Sequence, residues 1–233
     1  MPPAEEGCAF CQEATGKRFC ELAGIALTAP WEGIERRRCL PRELIFREGS
    51  PAEAAHCIRS GIVKLYKRGA KGEPLIIRLL GGGRLIGYRA VLAGEFYAAT
   101  AEAVDAVELC TIPGPTFMGI LAESTVLGQR LLAMMARELR VSEEQTLALA
   151  HDTVRARTVR LLIDFLADTG TGLGPGNPVL VPLQRWELAQ MVSTSPETLS
   201  RTLHRLAKEG VLHLTRTEIY VQDPRRLHAI AGR

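Results

Sequence analysis

Arg185-Trp-Glu-Leu-Ala-Gln-Met-Val192, then Ser193-Thr194, then Ser195-Pro196-Glu197-Thr-Leu-Ser-Arg201-Thr-Leu-His204 run on without interruption near the C-terminus. The first eight residues have a helical pattern, and the two-residue connection is tight. Ser195 supplies an N-cap hydroxyl and Pro196 occupies the first helical position, where a missing N–H costs nothing. The spacing predicts a helix-turn-helix. In its second helix Leu199, Leu203 and Leu206 share one face, to be buried, while Glu197, Ser200, Arg201 and His204 share the opposite face. That polar face carries the chemistry of major-groove reading. Arg201 offers two donors to a guanine edge, Glu197 an acceptor for the cytosine amino group, and Ser200 a contact to base or backbone. Gly210 ends the helix, and Val211 to Val221 read as a hairpin, so the unit is a winged helix-turn-helix.

Upstream, Gly170 to Pro178 form a turn-rich loop and Val154 to Ala167 a further helix. Before it, from Thr125 to about Ala150, Gly and Pro almost disappear. Leu132, Met135, Leu139, Ser142, Thr146 and Leu149 fall at alternating steps of three and four, the period of a coiled-coil seam. A second apolar row of Leu127, Leu131 and Met134 lies on a neighbouring face, suited to packing on the chain's own body. A long helix with two such rows predicts a homodimer, one row for each partner surface.

From about Ala29 to Ile120 short apolar runs alternate with Gly and Pro: Glu43 to Gly49, Cys57 to Tyr66, Leu75 to Gly83 and Ala106 to Ile112. These read as short strands of an antiparallel roll. Gly81-Gly-Gly83 is a turn in that roll: no P-loop Lys-Ser/Thr and no helix follow it, and no Ser-His-Asp set stands out, so the chain is not expected to be an enzyme.

Cys8, Cys11 and Cys20 crowd the N-terminus, and Cys110 stands in Val-Glu-Leu-Cys-Thr-Ile-Pro. A Cys-x2-Cys pair brings two thiolates to one soft metal centre, a third extends the set, and the fourth comes from a separate element. Four thiolates suit an iron-sulfur cluster, Zn²⁺ or a thiol redox switch, and the spacing leaves these open. Cys39 and Cys57 fall in or beside expected strands, as small apolar residues or as substitute ligands. The 233 residues carry 46% hydrophobic side chains and a formal charge of +3. Residues 1–150 hold 18 basic against 18 acidic side chains, so the excess sits in the C-terminal part, as DNA binding favours. No apolar run approaches the roughly 20 residues of a membrane span. Glu5 and Glu6 stand where a secretion signal would be basic, so a cytoplasmic protein is expected.

This order of parts resembles the Crp/Fnr family of bacterial transcription regulators. Ile58-Arg-Ser-Gly-Ile-Val-Lys64, Gly82-Gly-Arg-Leu-Ile-Gly87, Glu108-Leu-Cys-Thr-Ile-Pro113 and Glu197-Thr-Leu-Ser-Arg201 carry the resemblance, which covers almost the whole chain. It implies an α+β fold in four parts: a cysteine-rich arm (1–28), a cyclic-nucleotide-binding-like β-roll (29–120), a dimerisation helix (121–152) and the winged helix-turn-helix (153–233). The chain is most similar to the Fnr branch. That likeness implies an oxygen-labile [4Fe-4S] cluster, sensing oxygen or nitric oxide, on the positions matching Cys8, Cys11, Cys20 and Cys110. It also implies a palindrome close to TTGAT-N4-ATCAA and RNA polymerase as a partner. The Arg-Ser pair that holds the phosphate in cyclic-nucleotide receptors is missing from Gly87 to Thr100, so no cyclic nucleotide is expected. Haem-binding members point to His56, the one histidine of the sensor half, more simply a surface or satisfied core residue. Two departures stand out. Eight residues separate Cys11 from Cys20, a longer gap than in the best-known members, and Ser142 takes the seam position that commonly carries an acidic residue.

Overall fold

The structure, a computed structural model, describes residues 33–69, 72, 74–169, 178–179, 183–215 and 219–232. The arm that carries Cys8, Cys11 and Cys20 lies outside them. The described chain forms two compact units, one of residues 33–67 and 78–139 and one of residues 68–77 and 140–232.

Between residues 35 and 113 the strands are β1 (Glu35–Cys39), β2 (Leu44–Phe46), β3 (Ala54–Ser60), β4 (Val63–Arg68), β5 (Pro74–Leu80), β6 (Leu85–Ile86), β7 (Thr100–Ala103) and β8 (Val107–Pro113). They make two four-stranded sheets, ordered β1-β8-β3-β6 and β2-β7-β4-β5, with antiparallel pairing. The run Cys57 to Tyr66, which reads in sequence as one stretch, is two strands. Gly61 breaks it, with φ at +84° and the carbonyl oxygen of Ala106 well inside contact distance of where a Cβ would stand, so the turn admits only glycine. Strand β1, Glu-Arg-Arg-Arg-Cys, carries no sequence signal because it has no apolar alternation. Its Arg37 is nonetheless used inside the roll, donating to the carbonyls of Leu44 at 3.1 Å and Ile45 at 3.4 Å and pairing with Glu43 at 2.8 Å.

Side chains alternate across a strand, so β8 has two characters. Val107 and Leu109 are buried on the side that faces the second sheet, with Ile58 directly opposite Leu109. Cys110 and Ile112 face the other way, into an apolar layer formed with three helices: α1 (Tyr88–Ala93), α2 (Gly114–Glu123) and the start of α3 (Thr125–His151). That layer joins Ala55, Cys57 and Leu85 of the sheet to Phe117, Ile120, Leu127, Leu131 and Met134. The apolar row expected to pack on the roll does so.

His56 lies on the inner side of β3, stacked on Phe46 at 5.6 Å, with Nδ1 3.1 Å from the Thr111 hydroxyl. Burial, and then the charge of Arg37, lowers its pKa from 6.5 to about 4. The unfolded chain therefore takes up a proton between these values that the folded chain refuses. Stability is complete above pH 6.5 and falls by about 3 kcal/mol as pH drops to about 4. Denaturant midpoints measured from pH 7 to pH 4 should show this slope, and His56→Phe should flatten it. An unchanged slope in the variant would place the loss elsewhere.

The second unit holds α4 (Val154–Thr169), β9 (Pro178–Val179), α5 (Arg185–Met191), α6 (Pro196–Lys208), β10 (Leu212–Leu214), β11 (Ile219–Val221) and α7 (Pro224–Ala231). Leu162, Leu166, Leu199, Leu203, Leu206, Val211, Val221 and Leu227 form its buried interior. The wing is the antiparallel pair β10–β11. Strand β9 adds a third strand beside β11, at the end of a stretch that reads in sequence only as a loop.

Candidate DNA-reading surface and thiol site

Helix α6 begins as its sequence dictates. The Ser195 hydroxyl accepts from the Thr198 N–H at 3.2 Å, and Pro196 leads the first turn. Glu197, Arg201 and His204 are exposed, Ser200 is half-buried, and the three leucines of the opposite face are buried. The four candidate reading residues thus share one presented face. Their preparation is local. The Glu197 carboxyl is held below the usual range first by its own backbone N–H and then by the Ser195 hydroxyl, so it stays an acceptor. One Arg201 Nη donates to the Thr198 hydroxyl at 3.2 Å, which restrains the guanidinium. His204 Nδ1 sits 2.8 Å from the Ser200 carbonyl oxygen. A carbonyl only accepts, so Nδ1 carries the proton in that contact.

Two contributors are missing from the residues that the sequence pattern singles out. Thr198 is legible in principle, three residues before Arg201 on the same helical face. Arg157, on α4, donates to the carbonyls of Val192 at 2.9 Å, Ser193 at 3.4 Å and Asp152 at 2.7 Å. It pins the turn between α5 and α6, where Ser193 adopts a left-handed φ of +52°. Replacing Arg201 with Ala should cost about 1–3 kcal/mol at its base pair and relax preference there. Competition among operator variants measures this, and an unchanged preference would remove Arg201 from the reading set.

The seam residues of α3 are laid out along an uncovered face. Leu132, Leu139 and Leu149 are 68%, 62% and 53% exposed, Met135 is at the margin, and Ser142 and Thr146 are exposed. The Thr146 hydroxyl donates to the Ser142 carbonyl at 2.9 Å, so the C-terminal part of the seam satisfies itself locally. On the covered face, Glu138 accepts from the Tyr88 hydroxyl at 3.0 Å and pairs with Arg78 at 2.8 Å.

Of the four candidate thiol ligands, Cys110 alone lies within the described residues. It is 9% exposed on the helix-covered face of β8. Cys39 is buried opposite Val107, and burial first, opposed by Arg37, raises its pKa. Cys39 and Cys110 take part in no disulfide, whereas Cys57 is disulfide-bonded. Among the described residues no three His, Cys, Asp or Glu side chains converge as a metal site.

The segment Gly87 to Thr100 is packed with aromatic side chains. Tyr97 stacks on Phe46 with ring centroids 4.0 Å apart, donates to the Ala54 carbonyl at 2.6 Å and accepts from the Ala54 N–H at 3.2 Å. Arg89, the one guanidinium of the segment, is exposed.

Residues 36–124 match the cyclic nucleotide-binding domain family and residues 156–230 the Crp-like helix-turn-helix domain. The chain is 32% identical over 197 residues to the cyclic AMP receptor protein of Thermus thermophilus, covering 84% of this chain and 88% of that one. It belongs to the Crp/Fnr family of transcription regulators. As a Crp/Fnr regulator it binds DNA through its C-terminal helix-turn-helix. Its relatives are regulators rather than enzymes. The transcriptional activator FnrA of Stutzerimonas stutzeri is 26% identical, with 91% of each chain covered. FixK2 of Bradyrhizobium japonicum shares the Crp/Fnr fold with a TM-score of 0.75 at 23% identity, over 84% of this chain and 96% of that one. No helix of the described residues is long and apolar enough to cross a membrane.

Proposed function

We propose that this Crp/Fnr regulator takes its signal at a thiolate-held metal centre on Cys8, Cys11, Cys20 and Cys110. The centre is a [4Fe-4S] cluster responsive to oxygen or nitric oxide, and the protein reads a TTGAT-N4-ATCAA-like palindrome as a homodimer. The observation that carries this reading is where Cys110 stands. Its face of β8 holds the apolar layer in which Leu127, Leu131 and Met134 seat the long helix. A ligand in that layer ties whatever the arm binds to the element that carries the seam. Soft sulfur donors in a water-poor layer suit a cluster, which when bound supplies oxygen-sensitive redox chemistry.

Within the protein, Cys110 anchors the arm, the Leu127–Met134 row and Glu138 hold α3 on the roll, and the exposed seam beside them pairs two chains. Paired chains present two copies of α6 to successive major grooves. Cyclic nucleotide has no place in this scheme. Tyr97 fills the segment where such receptors keep their guanidinium, so a buried cyclic phosphate would go uncompensated. The test is anaerobic purification, with iron, sulfide and zinc measured per chain and the visible spectrum followed as air is admitted. About four irons with absorption near 400 nm that bleaches in air support the cluster. One zinc and no colour replace it with a structural metal, and no metal with reversible thiol loss replaces it with a redox switch.

A further inference from the structure

A bulge interrupts the pairing of β3 with β8. Cys57 stands opposite Cys110 and Ile58 opposite Leu109, but Ser60 then stands opposite Glu108, so Arg59 is the residue that the bulge inserts. A bulge re-aims its side chain out of the regular alternation of the ladder. On the other side of β8, Arg36 pairs with Cys110 and Arg38 with Glu108, and residues directly opposite in antiparallel strands share a face. Arg36, Arg37, Arg38, Arg59, Glu108 and Leu109 line a cavity of about 70 Å³. The bulge that brings Arg59 there is held tightly. A Cβ on Gly82 would stand 2.8 Å from the Arg59 carbonyl oxygen, so the backbone on that side is closely packed.

Charge and size decide what the cavity takes. Arg37 is committed to the Leu44 and Ile45 carbonyls and to Glu43. That leaves Arg36, Arg38 and Arg59 around one carboxylate, Glu108, which pairs with Arg38 at 2.9 Å. The surplus is two positive charges. A guanidinium carries five N–H donors, so one ion pair does not exhaust it, and its planar fork matches two oxygens of a phosphate. A phosphoryl group with a second pKa of about 6 carries nearly two negative charges at pH 7 and so balances the surplus. About 70 Å³ has room for roughly two waters at about 30 Å³ each, and lies far below the roughly 300 Å³ of a pocket that encloses a drug-sized ligand. A single oxyanion fits, and a whole nucleotide does not. Basic side chains on an edge strand also serve to discourage strand pairing, and β1 is the edge of its described sheet. That role accounts for Arg36 and Arg38 but not for Arg59, which comes from β3 in the sheet's interior. We propose that the cavity between β1, β8 and the β3 bulge binds a phosphate-type oxyanion, as the free ion or as the phosphoryl group of a small molecule, with Arg59, Arg36 and Arg38 as its donors. Bound there, the ion fastens the edge strand to β3 across β8. The site uses no residue of the DNA-reading face and stands whether or not Cys110 holds a metal.

The test titrates the full-length chain with inorganic phosphate and, separately, with glycerol phosphate, by calorimetry and by thermal unfolding, against chloride at matched ionic strength. R59Q loses charge-assisted hydrogen bonds and should bind about tenfold or more weakly than the parent, with R36Q weakened in the same direction. E108Q removes the competing carboxylate and should bind more tightly than the parent, a gain that misfolding cannot produce. R201A, on the DNA-reading face, should bind as the parent does, which separates this cavity from phosphate held where the DNA backbone docks. Tighter binding of the ester assigns the phosphoryl group of a small molecule, and equal or tighter binding of inorganic phosphate assigns the free ion. Binding by R59Q equal to the parent's overturns the site, as does a loss in R201A equal to that in R59Q. A parent that responds to phosphate and glycerol phosphate no more than to chloride overturns it as well.

Discussion

Replacing Cys110 with Ala is expected to remove the proposed metal centre and specific DNA binding together. Alanine is the informative substitution because the site is apolar. A serine hydroxyl in that layer would add about 1–3 kcal/mol of unsatisfied polarity, confusing loss of the ligand with loss of the fold. Losing the small sulfur leaves Ile112, Phe117 and Leu127 to hold the layer, so thermal unfolding should shift only modestly. DNA affinity behaves differently. If the centre biases the long helix toward pairing, its loss leaves monomers, and the operator is then held by one set of contacts rather than two. The expected fall is a hundredfold or more, roughly the lower part of the gap between specific and nonspecific binding. Metal content, unfolding temperature and operator affinity measured on one preparation decide it. A metal-free C110A chain that still binds the operator tightly would break the coupling between centre and dimer.

The parts most legible in the sequence are those where one local rule suffices. Ser195 and Pro196 announce α6, and its leucines repeat at helical spacing, so both the reading face and the buried face follow from the order of residues alone. The inner row of α3 is legible for the same reason. Strand β1 is not, because three consecutive arginines show no alternation, and their usefulness depends on carbonyls of β2 that only the folded roll supplies. Helix α1 is six residues long, too short for a period to register. The partnership of Cys57 with Cys110 depends on the register between strands far apart in sequence, which no local pattern encodes. Arg157 is hidden likewise: its partners are carbonyls, and carbonyls have no letter in the sequence.

Leu139→Asp is expected to dissolve the dimer while leaving each chain folded. Leu139 is mostly exposed in the single chain, so the change should alter chain stability by no more than about 0.5 kcal/mol. In a twofold interface the same position recurs on both partners, and two carboxylates then meet where two leucines met. The lost apolar contact and the buried like charges act in the same direction, so pairing should fall beyond detection at micromolar concentration. Operator affinity should then drop by a hundredfold or more, while affinity for an isolated half-site stays unchanged, because the α6 face is untouched. Sedimentation and binding to full and half operators give the two readings. Leu131→Asp, one face round on the same helix, provides the contrast: Leu131 is buried in the layer under Cys110, and a carboxylate there should unfold the roll rather than split the dimer. A dimeric L139D chain would move the partner surface away from the Leu132–Leu149 seam. A folded, dimeric L131D chain would show that the inner row does not seat the helix, and with it would fall the route from thiol centre to seam.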